Sequence, residues 1–192
     1  MGVLSLVAKA WRVGLLRTAG MVARYAVQIA LNPRIQAASF VQLQPRARLV
    51  VPKGASLRIG KGVVIKNDGV ILVNPGARLT LDDHFSLGHH GEITVGGTIA
   101  IGDYTTMGPC TYLTDCNHRF EPTNVPIICQ PMEVKPTSIG RDVWMGRGSM
   151  VLPGAVVPDG CVVAAGAIVT RAHQPGDVIA GTPGRTVRNR FQ

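Results

Sequence analysis

A step of six residues runs through the second half of this chain. Aliphatic side chains recur at Ile139, Met145, Val151, Val157, Val163 and Val169, and small or aliphatic ones follow four places later at Val143, Ser149, Ala155, Cys161 and Ala167. Glycine keeps the same step at 148, 154, 160 and 166. Six matches neither the period of an amphipathic helix nor the alternation of a lone strand. It suits a short strand followed by a sharp turn, whose left-handed backbone favours Gly, Asn or Asp. Three such units return the chain to the side it left, so Ile139 and Val157, 18 residues apart, are expected to stack. The period predicts a triangular, mainly β solenoid in which each coil covers the last.

The same grammar extends towards the N-terminus with interruptions. Ile59, Ile65 and Ile71 form one set, Leu81, Leu87 and Ile93 a second, and Ile101, Met107 and Leu113 a third. Coil starts at 59, 81, 101, 139 and 157 are separated by 22, 20, 38 and 18 residues. Only the third interval leaves a large excess, so one long loop, residues 114–138, is extruded. A loop of that length in a compact domain is usually functional. The repeat domain is expected over residues 45–188, behind a distinct segment, residues 1–35.

That segment reads as an α-helix over 3–31, ending at Asn32-Pro33. Lys9, Arg12, Arg17 and Arg24 fall on one side, opposite Leu4, Val7, Trp11 and Leu15. Two partners are open to the apolar face: the repeat domain or a second subunit, or an anionic membrane surface. Charge follows the same division. Residues 1–67 hold eleven Lys/Arg and no acid, whereas the remainder holds nine basic and eleven acidic groups. The net charge of +9 therefore describes a basic appendage on a near-neutral body, and no nucleic-acid module accompanies it. No apolar run is long enough to span a bilayer, and no cleavable leader pattern opens the chain. The four cysteines form no C-x-x-C pair. A reduced, cytoplasmic protein is expected, peripheral at the inner face of the membrane if the helix binds lipid.

The stretch "SIGRDVWMGRGSMVLPGAVVPDGCVVAAGAIVT" and the later "VIAGTPGRTVR" resemble the hexapeptide-repeat acyltransferases, the left-handed parallel β-helix family. "TDCNHRF" and the "VPI" after it are similar to the branch that O-acetylates sugars and polysaccharides. The resemblance implies a left-handed solenoid and acetyl-CoA as co-substrate, with no metal. It also implies a sugar or glycan acceptor, and a homotrimer with each active site between two subunits. By the same resemblance His118 is the catalytic base. Arg147, Ala165, Thr170, Arg171, Arg185 and Arg188 bind acetyl-CoA, with Arg171 standing where Lys is usual and Gly184 where Ala is commoner.

The chemistry agrees with those residue types. Acetyl transfer to a hydroxyl needs a base near neutral pKa, and phosphates need cationic partners. His90, on an expected turn, is a candidate acceptor contact. Asp115 and Asn117 are placed to orient the ring or touch the acceptor, and Asp115 also reads as a loop cap. The cysteines read as structural, which favours direct attack over a covalent route. An alternative is a γ-class carbonic anhydrase-like metal site using His84, His89 and His118, although the histidines come in the wrong chain order. A non-catalytic scaffold is a further alternative.

Overall fold

The computed structural model describes Gly14, Leu16 and residues 18–192. Its strands stack into three parallel sheets, each forming one wall of a prism. Sheet 1 orders Ile35–Ala37, Ser56–Ile59, Arg78–Leu81, Thr98–Ile101, Ser138–Ile139 and Val156–Val157. Sheet 2 begins with Gln42–Leu43, Val64–Ile65, Ser86–Leu87, Thr106–Met107, Trp144–Met145 and Val162–Val163. Sheet 3 orders Arg48–Val50, Val70–Val73, Glu92–Val95, Tyr112–Thr114, Met150–Val151 and Ile168–Val169. Six coils result. The register places Ala37, Ile59, Leu81, Ile101, Ile139 and Val157 in one column, so the five coil starts read from the sequence stack as expected.

Alternation within each strand fills the prism. Leu43, Ile65, Leu87, Met107, Met145 and Val163 form a fully buried column, and Ile71, Ile93, Leu113, Val151 and Val169 form another. Truncating one of these leucines to Ala would cost about 2–5 kcal/mol, because the backbone ladder prevents collapse around the hole. The long loop leaves after Tyr112–Thr114 and rejoins at Ser138–Ile139.

Both ends of the stack are closed. Residues 18–25 are α-helical and run into a five-residue π-turn, Ala26–Ala30. The first coil has no coil beneath it, so its edge N–H and C=O groups need other partners. Gln28 Nε2 donates to Ala47 O at 2.9 Å, Gln28 Oε1 accepts Leu49 N–H at 2.8 Å, and Arg24 Nε donates to Leu43 O at 2.8 Å. Ile29 is buried, and Tyr25 lies against Phe40 with ring centroids 4.8 Å apart. This end of the helix therefore packs on the repeat domain. Leu4, Val7, Lys9, Trp11, Arg12, Leu15 and Arg17 lie outside the described residues. Among the described residues no helix is long and apolar enough to cross a membrane.

At the other end Asp177–Ala180 extends sheet 2, and Arg185–Asn189 folds back antiparallel onto it. The buried Asp177 carboxylate fixes this return. It accepts Thr186 Oγ1 at 2.8 Å, Asn189 Nδ2 at 3.2 Å and Gln174 N at 3.0 Å. Burial pushes its pKa up, but these hydrogen bonds outweigh that and hold it below the usual carboxylate value. His173, also buried, places Nδ1 3.1 Å from Thr186 Oγ1.

Candidate active site

The edge where sheet 2 turns into sheet 3 repeats one two-residue corner six times. Its second residue is left-handed in every coil: Arg46, Asp68, His90, Cys110, Gly148 and Gly166, with φ from 53° to 69°. Backbone bonds tie the corners together, including Gly148 N–H to Pro109 O and Gly166 N–H to Arg147 O, both 2.9 Å. Neighbouring coils meet closely beside this edge. A Cβ on Gly146 would lie 2.6 Å from the Ala165 nitrogen, so that position must be glycine.

Arg147 and Ala165 are therefore adjacent corner residues, both exposed. Arg147 Nη1 comes within 3.8 Å of Cys110 Sγ, the corner residue one coil below. The chain returns over this edge at 182–184, where Gly184 N–H bonds to Ile168 O at 2.7 Å, and this sets Arg185 beside Ala180. Arg188 pairs with Val178 further across sheet 2, in the column that holds Trp144 and Val162. Arg188, Trp144 and Val162, together with Tyr104, Thr106 and Arg190, line a shallow groove of about 500 Å³. Arg190 is held there by Asp142 at 3.3 Å. Tyr104 and Arg190 were not singled out in the sequence; Arg190, two residues beyond Arg188 in the terminal strand, is the one a pattern could have found.

His118 stands on a different edge. The long loop opens with strand Cys116–His118, paired antiparallel with Met132–Val134 so that His118 faces Met132. The hairpin is exposed at His118 and buried at Asp115 and Cys116. Its root sits on the Gly96-Gly97 turn of the coil below, where sheet 3 leads back to sheet 1. Asp115 accepts Gly96 N–H at 2.6 Å and Gly97 N–H at 2.9 Å, one on each carboxylate oxygen. Of the two roles open to Asp115, this geometry supports the loop brace. Asn117 Oδ1 accepts the His118 N–H at 3.0 Å, and its exposed amide nitrogen has no hydrogen-bond partner among the described residues.

Thr170 and Arg171 follow the last strand of sheet 3, so they share the His118 side of the prism rather than the Arg147 side. Strand Glu92–Val95 separates His90 from the Gly96-Gly97 turn. At about 3.3 Å per residue, the two edges are roughly 20 Å apart.

No family model matches the chain. Known proteins do. A probable acetyltransferase of Mycobacterium tuberculosis is 32% identical over 160 residues, which make up 83% of this chain and 53% of that protein. The chain thus spans about half the length of that relative. A candidate acetyltransferase of colanic acid biosynthesis, WcaF of Escherichia coli, is 28% identical over 170 residues, 87% of this chain and 90% of WcaF. The solved structure of AntD, an N-acyltransferase from Bacillus cereus in complex with dTDP and 3-hydroxybutyryl-CoA, superimposes with a TM-score of 0.68 at 16% identity, covering 85% of both chains. The chain's acetyltransferase relatives and its fold match those of the hexapeptide-repeat acyltransferases.

The prism is accordingly that family's left-handed parallel β-helix. The metal-site alternative gains nothing from the geometry. His84 stacks on Tyr104 with centroids 4.7 Å apart at the edge between sheets 1 and 2, whereas His89, His90 and His118 stand on the other two edges. Among the described residues no three His, Cys, Asp or Glu side chains gather as a metal-binding group.

Proposed function

We propose that this acyltransferase is an acetyl-CoA-dependent O-acetyltransferase acting on a sugar or glycan hydroxyl, with His118 as general base. The observation that carries the reading is the exposed His118 on a hairpin braced through Asp115 to the coil below. Such a base is held rigidly enough to meet a bound hydroxyl and remains open to one. The imidazole takes the hydroxyl proton as the oxygen attacks the thioester carbonyl. A tetrahedral oxyanion forms and is stabilised by backbone N–H groups, and the CoA thiolate leaves, taking the proton back from the imidazolium. Arg147, Arg185 and Arg188 offer cationic partners for the donor's phosphates, and the Ala165 backbone a partner for its pantetheine arm. AntD and WcaF, a CoA-bound acyltransferase and a candidate polysaccharide acetyltransferase, support the substrate classes.

The separation of the two edges supports a homotrimer. Within one chain a small acceptor cannot touch His118 and His90 together across about 20 Å. A second copy that brings its His118 hairpin to the Arg147 edge completes the site. Phe120 and Ile128, 64% and 80% exposed on the long loop, suit such a covering surface. The basic N-terminal segment is proposed to hold the enzyme at the cytoplasmic face of an anionic membrane; salt-insensitive recovery away from anionic vesicles would exclude that.

Screening free sugars, nucleotide sugars and lipid-linked glycans with acetyl-CoA tests the activity. His118→Ala should then lower kcat by about 10²–10⁴ while acetyl-CoA binding persists. Turnover near that of the wild type in this variant would overturn the assignment.

A further inference from the structure

The corner between sheets 2 and 3 carries an arrangement that general-base catalysis by His118 does not use. In coils five and six its left-handed position is glycine, whereas in the first three coils it is Arg46, Asp68 and His90. Left-handed backbone is strained for most side chains and least so for Asp, Asn and His. The corner evidently folds with no side chain at all, so these three are present for another reason. They leave the edge from one position on successive coils, about 4.8 Å apart.

They also engage one another. Arg46 grips Asp68 with two parallel hydrogen bonds, Nε to Oδ1 and Nη2 to Oδ2, the latter at 2.7 Å. His90 Nε2 lies 3.9 Å from Asp68 Oδ2. The carboxylate is the enclosed member, with 21% of its side chain exposed against 73% for Arg46 and 64% for His90. The Arg46 hydrogen bonds hold Asp68 below the usual carboxylate range, with smaller help from the field of His90 and His89, so it is ionised at neutral pH. At 3.9 Å the carboxylate acts on the imidazole through its field or a bridging water rather than a direct bond. The same edge continues through Cys110, whose N–H bonds to His89 O, to Arg147, so the three side chains lie on the edge that leads towards the proposed donor residues.

We propose that Asp68 is a positioning residue for acceptor recognition, directing the Nε2–H of His90 towards itself and leaving Nδ1 to accept a hydrogen bond from a sugar hydroxyl, with Arg46 as the clamp on the carboxylate. This rests on the sugar O-acetyltransferase reading. Arg46 and Asp68 touch no substrate; they select which face of the imidazole does. An acceptor with a hydroxyl donor at that point is preferred over one that offers only an acceptor atom there.

Two readouts test it. The ring ¹⁵N shifts of His90 need no acceptor: the wild type should show the Nε2-protonated tautomer, and Asp68→Asn, which tolerates the same backbone, a mixture. With the best acceptor from the screened panel, Asp68→Asn should raise its KM about 5–20-fold, with kcat and the acetyl-CoA KM within about twofold. Arg46→Gln should give a smaller rise. Added to His90→Ala, Asp68→Asn should have no further effect. An unchanged tautomer in Asp68→Asn, or a KM effect that persists without His90, would overturn the proposal. If no panel member is acetylated by the wild type, the function reading fails, and the tautomer measurement still decides the relay.

Discussion

Replacing Asp115 separates two jobs open to a carboxylate three residues before the proposed general base. Both of its oxygens are occupied by backbone N–H groups of the Gly96-Gly97 turn, and the residue is only 1% exposed. In Asp115→Ala those donors lose their partners, at about 1–3 kcal/mol each. The glycines are only half-buried, so water can reach them and the lower part of the range applies, giving about 2–4 kcal/mol in all. For a chain of this size each kcal/mol shifts Tm by about 2–4 °C, so a fall of roughly 5–15 °C is expected. Asp115→Asn keeps one acceptor oxygen and should lose about half as much. Circular dichroism melts measure this, and calorimetric titration with acetyl-CoA should show donor binding preserved, because the Arg147 edge lies across sheet 3. The reasoning is refuted if Asp115→Ala melts within about 1 °C of the wild type while turnover collapses, for the carboxylate would then act on His118 or the acceptor.

Replacing Arg185 and Arg188 together with Gln should raise the acetyl-CoA KM about tenfold, and much less for a donor without the 3′-phosphate; equal losses would show that they serve folding. Gly146→Ala forces a Cβ to 2.6 Å from the Ala165 nitrogen, where only backbone can yield, so a loss of about 1–3 kcal/mol should appear in chemical denaturation. Burial pushes His173 below its ordinary 6.5, against the pull of Asp177, so the unfolded chain takes up this proton more readily than the folded one. Its contribution to stability is therefore complete above pH 6.5 and declines as pH falls through the folded-state pKa. His173→Gln should flatten the fall in Tm between about pH 7.5 and 5, and an identical slope in the variant would count against it.

The fold was legible wherever large aliphatic residues kept the step of six. From Ile139 to Val169 the step of six is unbroken, and even across the long loop Ile101 finds Ile139. The first coil keeps the same step at Ala37, Leu43 and Leu49, but its leading residue is a small alanine and its sheet 2–3 corner is Arg46, so the period is hidden there. The proposed site is legible one residue at a time. His118, Arg147 and Arg185 carry motif positions, but the roughly 20 Å between the His118 and Arg147 edges is set by the width of a coil and not by any motif. Gln28 gave no signal because its partners, Ala47 and Leu49, are backbone groups left over by the absence of a coil beneath them. Asp68 and Arg46, 22 residues apart, meet only because one coil lies between them in sequence.

A repeat contains no instruction to stop. Every coil offers the next the same row of N–H and C=O groups, and a neighbouring molecule could use a bare end as well as the chain's own next coil could. Head-to-tail docking of that kind does not close on itself, and its product is a fibre of indefinite length. Arg24 and Gln28 at one end, and the reversed strand Arg185–Asn189 at the other, make this molecule finite. The reversed strand also carries two of the proposed donor-binding arginines. The segment that terminates the prism is then the one that acetyl-CoA would grip, so donor binding would tighten the seal against polymerisation.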